Sequence, residues 1–135
     1  MNRPVLTLDG AQFASLDEFF RHFQARALDG ANWGNSLDAF NDVLRGGFGT
    51  PEEGFVLVWK NHRVSKERLG YAETQRVLRQ RLHTCHPAHI PAVNSELASA
   101  EACEGDTVFD WLVDIIQDHG PGGTESEDNI ELILD

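Results

Sequence analysis

The sequence predicts an α/β fold, a small parallel sheet flanked by helices. Three short segments have strand character: Pro4-Val5-Leu6-Thr7-Leu8, Phe55 to Trp59, and Ile130 to Leu134. Between them run stretches whose apolar residues recur at helical spacing, and strands alternating with helices give parallel sheets with right-handed crossovers. The middle segment is apolar at nearly every position, the pattern of a central parallel strand covered on both faces. With 135 residues, 41% of them hydrophobic, the chain has room for one domain and one substantial core.

The elements follow in order. Asp9-Gly10 is a turn signal after the first strand. Ser15-Leu16-Asp17-Glu18 is a capping box that opens a helix reaching about Leu28, with Leu16, Phe19, Phe20, Phe23 and Ala27 as its core stripe. Residues 29–35 form a polar loop in which Trp33 stands alone, either packed beneath the loop or partly exposed as an interface anchor. Ser36 is placed to cap a second helix and Gly46 or Gly47 to end it, with Leu37, Phe40 and Leu44 on its buried side. Gly46 to Pro51 is a flexible connection. Asn61 to Leu69 reads as a short helix or turn, and Gly70 to Leu82 as a weaker amphipathic helix with Ala72, Val77, Leu78 and Leu82. Cys85 to Asp106 has prolines and little periodicity, so it reads as loop with a helical piece near Asn94 to Ala102. Asp106 is a good N-cap for the final helix, Thr107 to Gln117, which turns Phe109, Leu112, Val113 and Ile116 inward and leaves Asp110, Asp114 and Asp118 as an acidic stripe. A polar linker, Gly120 to Asp128, leads to the last strand.

Charge narrows the function. Twenty-two acidic residues against eleven Lys and Arg give a net charge of −11. From Glu96 to Asp135 there are twelve acids and no Lys or Arg. Such a surface excludes nucleic acid as a direct ligand and suits a basic protein partner, whose approach it accelerates. No apolar run is long enough for a membrane span or a signal peptide, so the expected location is the cytoplasm. Cys85 and Cys103 are too few for a disulfide framework and are expected as free thiols there.

The most informative stretch is Asn32 to Phe48. Asp38 and Asp42 lie at i and i+4 on its helix, stacked on a face other than the buried one. Neighbouring like charges cost a helix a few tenths of a kcal/mol, part of which Arg45 offsets. Two aspartates alone read as an ordinary solvated face. Yet Trp33-Gly34-Asn35-Ser36-Leu37-Asp38-Ala39-Phe40-Asn41-Asp42-Val43-Leu44-Arg45-Gly46 resembles the central segment of the barstar family, small intracellular inhibitors of microbial ribonucleases. Phe55-Val56-Leu57-Val58-Trp59-Lys60-Asn61 resembles the family's second strand. Phe109 to Gly120 with Ile130 to Leu134 resembles its last helix and strand. The resemblance covers most of residues 4–69 and 106–135. It implies three parallel strands flanked by about four helices, with 71–105 an insertion before the last helix.

The same resemblance implies that the protein inhibits a basic ribonuclease or ribonuclease toxin one-to-one and without a cofactor. Helix-borne carboxylates would stand in for RNA phosphates, Asp42 inserted deepest and Asp38 supporting it. Gly46 would permit close backbone approach. Trp33, Asn41, Phe48 and Asp114 complete the implied partner surface. The family's best-known member has aromatics at the positions of Asn32 and Asn41 and another close to Gly47, where Phe48 can substitute, so a different partner surface is implied. Two alternatives stand beside this reading: a binding module for a basic partner that is not a ribonuclease, and a zinc-binding variant. For the latter, His83, Cys85, His86 and His89 are close enough in sequence to bind zinc, although their spacing matches no familiar finger and Pro87 interrupts any helical pair. No glycine-rich phosphate loop or nucleophile elbow is present, and the aspartate pair lacks a neighbouring histidine, so no enzyme is predicted.

Overall fold

The computed structural model of the protein describes residues 4–27, 36–45 and 54–135. Strands β1 (Val5–Asp9), β2 (Phe55–Lys60) and β3 (Ile130–Leu134) form one parallel sheet in the order β1-β2-β3. Among the described residues six α-helices accompany it: α1 (Leu16–Ala27), α2 (Leu37–Leu44), α3 (His62–Arg68), α4 (Tyr71–Thr84), α5 (Ile90–Glu101) and α6 (Val108–Asp118). Two of these, α4 and α5, fall within residues 71–105.

Register sets the core. Leu6, Leu57 and Leu132 form one cross-strand row, and Leu8 and Trp59 lie in the next, all on the helix-covered face. Upon them pack Phe13, Phe19, Phe20 and Phe23, with Phe19 5.4 Å from Trp59 ring to ring. Valines 56 and 58 point the other way and are only half-buried, while Val5 and Ile133 on the same side are 60% and 41% exposed. The middle strand is therefore fully covered on one face, not both. Its unbroken apolar run misled because β-branched residues suit the extended backbone whether or not they are buried.

Caps explain the helix boundaries. Ser15 Oγ accepts the Glu18 N–H as expected, but Glu18 reaches one residue further back, to Ala14 N–H. Helix α1 gains a remote partner as well: Leu16 N–H donates to the Glu73 carboxylate at 2.7 Å, and Arg76 holds Glu73 by two further bonds. Helix α6 starts one residue later than expected. Thr107, not Asp106, is its N-cap, in a reciprocal box with Asp110. Thr74 then ties α4 to α6 by accepting the Val108 N–H.

Residues 85–106 are more helical than expected. A 3-10 turn at Pro87–His89 runs into α5, which begins four residues before Asn94. Pro91 sits in its first turn, where a missing N–H costs nothing, so it starts the helix and does not break it. Helices α4 and α5 pack as a hairpin on a small separate cluster of Leu78, Val93, Leu97 and Ala100, with Trp111 of α6 at the seam. Ala72, expected inward, is exposed. The Gly120–Asp128 connection is folded, with Glu125 N–H donating to the Asp118 carbonyl and Ile130 N–H to that of His119.

Candidate functional site

Helix α2 is short, so tertiary packing must hold it. Ser36 Oγ accepts the Ala39 N–H at its start, as the sequence predicted. Phe40 is its bolt: fully buried, it meets Phe23 at 5.0 Å and Phe19 at 5.4 Å in edge-to-face contacts. Val43 and Leu44 are buried beside it, whereas Leu37 is only half-buried. The opposite side carries Asp38 and Asp42, both exposed, on a support with little freedom to shift.

The two carboxylates differ in their surroundings. No Lys or Arg among the described residues lies within ion-pair reach of Asp38. Asp42 accepts from Arg45 Nη1 at 2.8 Å, so part of its charge is already answered within the protein. That pair is half-exposed and screened by water, so it contributes little to stability, and Arg45 is shared. Its Nε donates to Glu125 Oε1 at 2.7 Å, and Glu125 more than Asp42 holds the guanidinium in its charged form. In return Arg45 keeps the Glu125 carboxyl below its ordinary range.

Asn41 faces inward. Its side-chain Oδ1 lies 2.7 Å from Nε2 of His119, a ring with no exposed surface. On the far side of that ring Nδ1 meets Asp128 Oδ2 at 2.6 Å, and Glu125 Oε2 lies 3.5 Å from Nε2. His119, Glu125 and Asp128 are also the described residues whose ligand-type atoms converge, all within 4.8 Å. They do not aim at one point: the ring nitrogens face apart, each has an oxygen at hydrogen-bond distance, and Arg45 occupies Glu125. The arrangement is a hydrogen-bonded clasp between α2 and the loop before β3. It was missed from the sequence, where His119 is one histidine before a glycine.

Asp114 lies apart from α2, on the acidic stripe of α6. It lines an open groove of about 670 Å³ with Asp118, Ile130, Glu131 and Leu132. Partial burial, then the charges of Asp106, Asp110 and Asp118, raise its pKa above the usual aspartate range. Trp33, Gly46 and Phe48 lie outside the described residues. His83, His86 and His89 are exposed along the α4–α5 connection, and their ligand atoms do not come together with Cys85. His86 Nδ1 instead accepts the Ala88 N–H.

A family model described as Barstar (barnase inhibitor) matches residues 3–92. The chain belongs to the barstar family. The match takes in β1 through α4 and the start of α5, and with them Asp38, Asn41 and Asp42. It includes 71–92 of the segment read as an insertion and stops before α6, the clasp loop and β3. No curated protein matches the chain. Barstar-family proteins are inhibitors, not enzymes. Among the described residues no helix is long and apolar enough to cross a membrane.

Proposed function

We propose that this barstar-family protein inhibits a basic microbial ribonuclease in the cytoplasm, one inhibitor to one enzyme. The observation that carries this reading is the placement of Asp38 and Asp42: exposed, one turn apart, on a helix anchored by Phe40 and inside the family match. A ribonuclease holds the scissile phosphate with Arg, Lys and His side chains. Carboxylates on a fixed support can take the same charge-assisted bonds and block the cleft. Asp42 enters deepest and Asp38 supports it, while Asp114 contributes at the edge. Gly46, Trp33 and Phe48 are assigned to the contact through family likeness alone. A net charge of −11 speeds the encounter with a basic enzyme. The partner is a ribonuclease, or a ribonuclease toxin against which this protein confers immunity.

A second reading, a barstar-fold module for a different basic protein, draws on Asn41, whose side chain is bonded inward where the family's best-known member offers an aromatic. One titration tests the first reading. Purified protein added to a small guanyl-preferring microbial ribonuclease should abolish RNA cleavage at one equivalent. Undiminished cleavage, together with capture from the native host of a basic protein that lacks ribonuclease activity, would favour the second.

A further inference from the structure

Helix α2 ends against the loop that precedes β3, and that loop lies beyond the family match. Arg45 stands between them with a carboxylate on either side, Asp42 at 2.8 Å and Glu125 at 2.7 Å. The two are not equal. The Asp42 side chain is 58% exposed and the Glu125 side chain 26%. Glu125 is also fixed by its own backbone bond to Asp118, and the neighbouring Asp128 is locked on buried His119. The pair with less water around it is the stronger one. From Glu96 onward the sequence has no other Arg or Lys to satisfy this loop.

We propose that Glu125 is a positioning residue for the binding site: it retains Arg45 so that Asp42 can be released to a partner's cation. The inference rests on Asp42 being the contact named above. Arg45 is an internal rival, since its guanidinium offers Asp42 the same bonds a partner's arginine would. With Glu125 in place, Nη1 can leave Asp42 while Nε stays bound, so the guanidinium is never stranded. Without Glu125, the guanidinium turns both of its Nη arms onto Asp42 and leaves Nε to water. An incoming cation must then displace two bonds in place of one. Removing an acid from this loop thus weakens binding by more than the acid's own long-range attraction.

Two arms test this, with circular dichroism to verify that each variant is folded. The first needs no partner. The Arg45 Nε–H resonance in ¹⁵N NMR should exchange slowly with water, should remain slow in Asp42→Asn, and should collapse to fast exchange in Glu125→Ala, which leaves no acceptor there. The reverse order of sensitivity overturns the inference. The second arm uses barnase as the probe and measures affinity for the parent, Glu125→Gln, Arg45→Ala and the double variant. Glu125→Gln should weaken binding about fivefold in the parent, the full range of an exposed ion pair, but less than about twofold once Arg45 is alanine. Equal losses in both backgrounds mean Glu125 acts only through distant charge, and the inference falls. If the first arm holds and the parent does not bind barnase, Glu125's hold on Arg45 stands, the release of Asp42 to barnase is overturned, and barnase is excluded as the partner.

Discussion

Replacing Asn41 by alanine should destabilise this protein, although the residue sits directly before the exposed Asp42 on a short helix. His119 is fully buried and Asn41 supplies the oxygen 2.7 Å from its Nε2. Stranding one buried polar atom costs about 1–3 kcal/mol. Alanine returns roughly 0.5 kcal/mol through its better helix propensity. Glu125 Oε2, 3.5 Å from the same nitrogen, can close in and recover part of the rest. The net loss is about 1–2 kcal/mol, a fall of about 3–8 °C in Tm for a domain of this size. Thermal unfolding by circular dichroism measures it, with Asp38→Ala as the control, expected within about 0.5 kcal/mol of the parent. An Asn41→Ala protein as stable as that control would show that the amide does not hold His119, and would remove the clasp as the restraint on α2.

Three further predictions follow from the site and its surroundings. Asp42→Ala should weaken binding to a ribonuclease by about 2–5 kcal/mol, a range that draws in part on this family's own complexes and not on the geometry alone, and Asp38→Ala by less. Titration calorimetry orders the two, and an unchanged affinity for Asp42→Ala would take that residue out of the contact. Asp114→Asn should raise stability by about 0.5 kcal/mol at neutral pH by removing a charge that partial burial, then like-charged neighbours, disfavour, and still bind more weakly; the gain shrinks on acidification, as the parent's raised carboxyl takes up its proton. Burial, then the nearby Arg26, hold the His22 pKa down, and its Nε2 accepts the Asp9 N–H, so the folded state resists protonation there. Stability is therefore full above about pH 6.5 and declines as pH falls through that value toward the lower folded pKa, and His22→Gln should flatten this slope in urea midpoints taken between pH 5 and 8.

The sheet, α1 and α2 were legible because local signals agreed with the packing. The phenylalanine stripe of α1, the Ser36 cap and the buried Phe40 all say the same thing at short range. The capping box at Thr107 went unread, because Asp106 offered an equally good cap one residue earlier. What failed to show is long-range. Glu73 caps a helix that starts 57 residues earlier in the chain, and Asn41 meets His119 across 78. Nothing near Glu73 or His119 in sequence marks either pairing. The Asp38–Asp42 stack was correctly read as outward-facing, but Arg45's divided loyalty depends on Glu125, 80 residues away. The family likeness directed attention to α2. The loop that grips α2 lies beyond the matched residues and could be found only in three dimensions.

Inhibition by this protein requires that α2 fill a phosphate site. The most direct measurement is affinity for a guanyl-preferring ribonuclease with and without saturating guanosine monophosphate in the enzyme's cleft. Phosphate mimicry predicts simple competition, the apparent Kd rising in proportion to nucleotide concentration. Formation of a ternary complex with Kd unchanged would contradict it, because the carboxylates of α2 and the nucleotide phosphate would then occupy different places.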